Sequence, residues 1–284
     1  MEIEIAKYSG YCFGVKRALN IVEKTLDEYS GSGKKVYTLG SVIHNPGVMN
    51  ELSNMGLASA GEPEGIKPGS TLIIRSHGMS PRTLKILLDK NIEIVDATCP
   101  FVKKAQAKVK KLENQGYFVL VIGNKDHPEV IGIKEQIDDN SVRVIQNSLE
   151  ASDLDFKKKI GVVIQTTQTA DRVKSITSVL IDKCKELLIC NTICDTTKNR
   201  QESTRILAKK VDVMIVAGGR NSANTTHLAD ISLEENKRTY HIESYSGIDP
   251  EWFKDSDKIG ISGGASTPEK DIIDIKKTIE SFDS

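Results

Sequence analysis

The chain has 284 residues, 38% hydrophobic and 27% charged, with 39 Lys+Arg balanced by 39 Asp+Glu. A net charge of zero excludes the basic excess of nucleic-acid and polyanion binders, and no apolar run approaches the roughly eighteen residues that cross a bilayer. The opening Met1-Glu-Ile-Glu-Ile-Ala has no basic and then apolar leader, so the expectation is a cytoplasmic α/β protein with no nucleic-acid or membrane partner.

Glu2-Ile-Glu-Ile-Ala-Lys-Tyr reads as a strand before Cys12, where a helix opens with Val15, Leu19, Val22 and Leu26 at helical spacing. Lys35-Val-Tyr-Thr-Leu is a second strand, followed by Gly40 and a polar turn carrying His44. Beyond a loop at 61–69, Thr71-Leu-Ile-Ile-Arg runs into Ser76-His77-Gly78 and a helix near Pro81. The order then recurs. Ile92-Glu-Ile-Val-Asp leads to Cys99 and a helix with Val102, Ala105, Val109 and Leu112, stopped at Gly116. Tyr117-Phe-Val-Leu-Val-Ile leads through Gly123 to His127 and Glu129, and Ile160-Gly-Val-Val-Ile to Gln165-Thr166-Thr167. In a third round, Leu187-Leu-Ile-Cys-Asn leads to Cys194 and Val211-Asp-Val-Met-Ile-Val-Ala to Ser222 and Asn224. Lys258-Ile-Gly-Ile leads to Ser266 and a last helix near Thr267.

The cysteines heading these rounds are 99−12 = 87 and 194−99 = 95 residues apart. Offsets from each cysteine to the second turn agree, at 44−12 = 32, 127−99 = 28 and 222−194 = 28. Those to the third are 77−12 = 65, 166−99 = 67 and 266−194 = 72. The chain therefore reads as three α/β units, 1–97, 98–192 and 193–284, the last with a C-terminal helix. Strands feeding helices favour mainly parallel sheets, with the chemistry gathered at the carboxyl ends of the strands.

There are five cysteines, an odd number with no CxxC pair, which argues against structural disulfides. Cys184 and Cys190 have no counterparts in the other units and are read as structural. Cys12, Cys99 and Cys194 occupy equivalent places and can meet on a pseudo-threefold axis. Three thiolates describe an iron–sulfur cubane with one iron lacking a protein ligand, or a Cys₃ zinc site. Lys16, Lys103 and Lys198, each four residues past a cysteine, either offset cluster charge or lie on solvated helix faces. His44, His77, His127, Thr166, Ser222, Asn224 and Ser266 supply imidazole, hydroxyl and amide donors beside helix starts, a setting suited to phosphate oxygens. Glu129, two residues past His127, is the carboxylate among these candidates and could deliver a proton. His227 and His241 fall outside the pattern, and there is no Walker-type loop and no flavin or nicotinamide fingerprint.

Taken together, Cys12-Phe-Gly-Val-Lys-Arg-Ala, Ile43-His44-Asn-Pro, Arg75-Ser-His77-Gly, Asp96-Ala-Thr-Cys99-Pro and His127-Pro-Glu129-Val closely resemble the LytB/IspH family of 4-hydroxy-3-methylbut-2-enyl diphosphate reductases. Gln165-Thr-Thr, Cys194-Asp-Thr-Thr-Lys-Asn-Arg-Gln and Gly264-Ala-Ser266-Thr-Pro extend the likeness over essentially the whole chain. The resemblance implies a trefoil of three α/β units around one central [4Fe–4S] cluster. It also implies reductive removal of the substrate's allylic hydroxyl, giving isopentenyl and dimethylallyl diphosphates. It assigns Cys12, Cys99 and Cys194 to the cluster, whose fourth iron stays open. His44, His77, His127, Ser222, Asn224 and Ser266 fall to the diphosphate, and Thr166 with Glu129 to the hydroxyl. Electrons would come from an external donor such as a ferredoxin or flavodoxin. The chain departs from the commoner pattern at Ala223, where a second serine often follows Ser222. A hydro-lyase or a non-enzymatic sensor would use a similar centre, the first without electrons and the second without need of Glu129.

Overall fold

A strand covered on both faces shows as an unbroken apolar run, and such runs occupy the middle of every sheet in the computed structural model. Residues 1–254 and 257–283 are described; 255, 256 and 284, all in the segment 193–284, lie outside them. The first elements are β1 (Glu2–Ile5), α1 (Phe13–Tyr29), β2 (Val36–Leu39), α2 (Pro46–Asn54), β3 (Leu57–Ala60), β4 (Thr71–Ile74), α3 (Pro81–Asp89) and β5 (Glu93–Asp96). There follow α4 (Pro100–Asn114), β6 (Phe118–Ile122), α5 (Pro128–Lys134), β7 (Val142–Ile145), α6 (Ser148–Ser152), β8 (Lys157–Ile164), α7 (Ala170–Leu180) and β9 (Cys184–Cys190). The chain ends with α8 (Asp195–Ala208), β10 (Val213–Ala217), α9 (Ala223–Glu235), β11 (Thr239–Ile242), β12 (Lys258–Gly263) and α10 (Glu269–Glu280).

The fold is α/β, with three four-stranded parallel sheets, β3-β2-β4-β5, β7-β6-β8-β9 and β11-β10-β12-β1. The nine strands read from the sequence are present. β3, β7 and β11 were not among them, and all three take the same edge position, beside the strand that precedes them in the chain. In the third sheet that topology is completed by the first strand of the chain, with Glu2 opposite Lys258 and Ile5 opposite Ile261. The strand before Cys12 therefore belongs to the sheet built from the 193–284 segment.

The chain divides into two compact units, a larger one of 17–42 and 49–194 and a smaller one of 1–16, 43–48 and 195–284. In the larger unit, period-two alternation sorts the apolar residues of β6 and β8 between two cores. Leu120, Ile122, Ile160, Val162 and Ile164 pack with Ile176 and Leu180 of α7. Val119, Val121 and Val163 pack with Ala105, Val109 and Leu112 of α4 and with Val130 and Ile133 of α5. In the smaller unit, Val213, Ile215, Ala217, Ile259 and Ile261 meet Ile272, Ile275 and Ile279 of α10. Met214 and Val216 meet Leu207 of α8 and Leu228 of α9 on the opposite face.

Helix α4 comes so close to β8 that a Cβ at Gly161 would lie 2.9 Å from both methyls of Leu112. Gly161→Ala is therefore expected to destabilise the protein by roughly 1–3 kcal/mol. Urea unfolding of G161A, L112A and the double variant should show the double variant less destabilised than the sum of the two, because Leu112→Ala makes the missing room.

Candidate functional site

In each sheet the two central strands lie side by side; in the first two sheets their onward connections run to opposite edges, and in the third β10 connects on to β11 at one edge while β1 takes the other. That is a topological switch point, and a crevice opens there at the carboxyl ends. The predicted turns hang from these ends.

In the larger unit, α5 follows the β6 turn with His127 as its N-cap. The backbone N–H of Glu129 donates to His127 Nδ1 at 3.2 Å. With Nδ1 an acceptor, the neutral ring carries its proton on Nε2 and offers it as a donor. The ring meets that of His77 edge to face, with centroids 5.2 Å apart. Glu129 is 2% exposed. Thr166, in the turn after β8, holds both of its carboxyl oxygens: the backbone N–H donates to Oε1 at 2.7 Å and the hydroxyl to Oε2 at 2.9 Å. Burial pushes the Glu129 pKa up to about 7, and the two Thr166 hydrogen bonds act in the opposite direction. The result is a fixed carboxyl group that exchanges its proton near neutrality. Cys99 and Cys194 are fastened to the same turns, the N–H of Cys99 donating to Ser76 O and that of Cys194 to Thr166 O, each at 3.0 Å.

The smaller unit holds Cys12, His44, Ser222, Asn224 and Ser266. The Cys12 N–H donates to Ala265 O at 3.2 Å, and the Val15 N–H at the start of α1 donates to Cys12 Sγ at 3.4 Å. Ser222 is the N-cap of α9. Asn224, in the first turn of that helix, is 4% exposed, and its Nδ2 has no hydrogen-bond partner among the described residues. A buried amide donor without an acceptor, beside the positive end of a thirteen-residue helix, is the local chemistry of an anion site. The carbonyl of His44 accepts from Ser266 Oγ at 3.4 Å, and a Cβ at Gly219 would lie 2.7 Å from that carbonyl. Only glycine lets the backbone of His44 approach this closely.

The backbone hydrogen bonds refine the repeat register. Cys12, Cys99 and Cys194 bond to Ala265, Ser76 and Thr166, and the three turns close as Thr267 N–H to Gly264 O, Gly78 N–H to Arg75 O and Gln168 N–H to Gln165 O. Thr166 thus corresponds to Ser76 and Ala265, and Thr167 is the counterpart of His77 and Ser266. Two supporting residues were visible in the sequence only as motif letters. Gln165 accepts at Oε1 from Asn124 N–H and Gln168 Nε2 and donates to Thr167 Oγ1, joining the β6 and β8 turns. Arg200, 2% exposed, donates to Gly263 O at 2.6 Å and Gly10 O at 2.7 Å, fixing the approach to Cys12.

Other candidates lie apart from these contacts. Lys16 pairs with Glu269 and Lys103 with Asp96, at 3.0 and 2.6 Å, and Lys198 is exposed, so all three lie on solvated faces. Cys184 and Cys190 pack against the cores on either side of the β6–β8 sheet. His241 Nε2 lies 2.9 Å from Gly218 O, and His227 is buried in α9. No described helix is long and apolar enough to cross a membrane.

The family described as LytB protein matches residues 3–280. A 4-hydroxy-3-methylbut-2-enyl diphosphate reductase of Geobacter sulfurreducens is 44% identical over 284 residues, covering 100% of this chain and 99% of the relative. One from Aquifex aeolicus is 44% identical over 282 residues, covering 99% and 96%. Among solved structures, a (E)-4-hydroxy-3-methyl-but-2-enyl diphosphate reductase, titled the terminal enzyme of the non-mevalonate pathway, is similar at 42% identity. It covers 99% of both chains with a TM-score of 0.69. The Plasmodium falciparum E-1-hydroxy-2-methyl-but-2-enyl-4-diphosphate reductase is similar at 28% identity and a TM-score of 0.91, covering 97% of this chain and 87% of that one. With the family match spanning nearly every residue and relatives at this identity over their full length, the chain belongs to the LytB protein family.

Proposed function

We propose that this chain reduces 4-hydroxy-3-methylbut-2-enyl diphosphate to isopentenyl and dimethylallyl diphosphates. The observation that carries the reading is the buried Glu129 carboxyl, clamped at both oxygens by Thr166 and poised near neutrality. The reaction consumes two electrons and two protons. The allylic C–O bond breaks, the oxygen leaves as water, and a C–H bond forms at either end of the allyl fragment.

Cys12, Cys99 and Cys194 are the proposed holders of a [4Fe–4S] cluster with one iron free of protein ligands. Their chemistry fits: all three are free thiols, each stands immediately before a helix, and Cys12 Sγ already accepts a backbone N–H. When bound, the cluster supplies the electrons and the Lewis acidity that C–O cleavage needs. The electrons reach it from an external carrier of the ferredoxin or flavodoxin type.

The protein's own groups do the rest. Ser222, Asn224, Ser266, His44, His77 and His127 take the diphosphate, with the orphaned Asn224 amide and the α9 start as its strongest pointers. Thr166 orients the substrate hydroxyl and fixes the plane of the Glu129 carboxyl. Glu129 gives its proton to the departing oxygen and is reloaded from solvent between turnovers. Burial at the site keeps bulk water from the allyl fragment.

Anaerobic assay of the cluster-reconstituted protein with a reduced viologen dye tests the reading. Substrate-dependent dye oxidation should yield both five-carbon diphosphates, and substrate binding without oxidation would point to a sensor. Glu129→Gln should bind substrate normally while kcat falls about 10²–10⁴-fold. Because the proton donor must be protonated, kcat/KM should fall as pH rises through about 7. Thr166→Val removes a hydrogen bond that lowers the Glu129 pKa, so the alkaline limb of that profile should move to higher pH while the maximal rate drops. Ala223→Ser restores a hydroxyl in the first turn of α9. It should lower KM by about tenfold with kcat unchanged, the scale of one charge-assisted hydrogen bond.

A further inference from the structure

Arg75 follows β4 directly, and its side chain is half-buried. Among the described residues its guanidinium makes neither a hydrogen bond nor an ion pair. Every other buried or half-buried arginine has an acceptor: Arg17 the carbonyl of Thr98, Arg200 those of Gly10 and Gly263, Arg205 the Glu235 carboxylate, and Arg238 the Asp257 carboxylate. Arg75 lines a cleft of about 370 Å³ together with Gly40, Ser80 and Thr83. A Cβ at Gly40 would lie 2.9 Å from Arg75 Nη1. The guanidinium therefore lies against bare backbone at the end of β2, and Gly40, at φ +68°, leaves it that room. The site is the switch point of the first sheet, where β2 and β4 end side by side.

Two further features narrow the ligand. Ser80 caps α3, and its hydroxyl donates to Thr83 Oγ1 at 3.0 Å. The Thr83 hydroxyl proton is thereby turned away from Ser80, and no described residue accepts it. The same cleft is also lined by Glu62 and Glu135; both are exposed, and neither forms an ion pair with Arg75. These carboxylates repel a polyanion or an acidic protein surface. They suit a small anion that brings O–H donors of its own.

We propose that the Arg75 cleft binds a protonated phosphoryl group, free phosphate or the end of a small phosphate monoester. Arg75 and Thr83 donate to its oxygens, the start of α3 faces its charge, and Glu62 and Glu135 accept from its hydroxyls. Sulfate, which carries no proton near neutrality, fits the first half of this set and is repelled by the second. Burial holds the Arg75 pKa below its ordinary range, and no neighbouring acid counters that effect, which leaves room for an anion to do so.

The test is calorimetric titration of the full-length chain carrying Asn224→Ala, which weakens the diphosphate site proposed above, so that the Arg75 substitutions report on the cleft. One phosphate equivalent should bind in that background. R75K, which keeps the charge and loses the planar fork, and R75A should each weaken it at least tenfold, with the thermal midpoint of R75K unchanged. Absence of phosphate binding in the Asn224→Ala chain overturns the proposal, as does binding that neither Arg75 substitution alters, or sulfate binding as tight as phosphate. Methyl phosphate binding as tightly as phosphate assigns the cleft to monoesters, and binding of phosphate alone assigns it to the free ion. The titration requires neither cluster nor turnover, so its failure leaves the proposed reaction untouched.

Discussion

The strand order repeated in the three sheets is the constraint from which the rest follows. Setting the first strand beside the third makes two turns share one carboxyl edge, and sending the fourth strand to the far edge delivers a cysteine just beyond it. Chemistry-bearing residues can then sit on short turns while the apolar strands and helices beneath hold them still. The Cys194 N–H bonded to the Thr166 carbonyl expresses this economy, since one turn positions both a thiol and the partner of the acid.

Glu129 shows how opposing effects set a working proton affinity. Burial alone would drive the group far toward its neutral form, and hydrogen bonds to both oxygens alone would hold it ionised. Thr166 supplies both bonds, one from its backbone and one from its side chain. The backbone contribution survives side-chain replacement, so the carboxyl stays placed even when its acidity is altered.

Much of this was legible in the sequence. The three-round repetition, the nine strands and the residues at strand ends follow from apolar runs and from counting between cysteines. Leu57-Ala-Ser-Ala escaped because alanine and serine give little strand signal over four residues, and Val142-Arg-Val-Ile and Thr239-Tyr-His-Ile are too short for alternation to stand out. The partner of β1 was illegible for another reason: local pattern announces a strand and is silent on which distant strand it joins. Counting also slipped by one at Thr166, since connection lengths differ between rounds and only the backbone hydrogen bonds define equivalence. The missing acceptor of Arg75 is a fact of packing that no residue letter carries.

The pairing of β1 with β12 bears on how the protein is made. Glu2–Ile5 is synthesised about 250 residues ahead of β12, its strand neighbour among the described residues, an interval of roughly 10–50 s at ordinary rates of synthesis. Through that interval the segment bearing Cys12 lacks both its sheet and the Arg200 contacts that fix its loop. The smaller unit therefore cannot form vectorially. A ribosome-bound fragment that has already completed the 49–194 stretch still presents Cys12 on an unanchored segment, so the geometry around that thiol is set only once β12 and Arg200 have joined it.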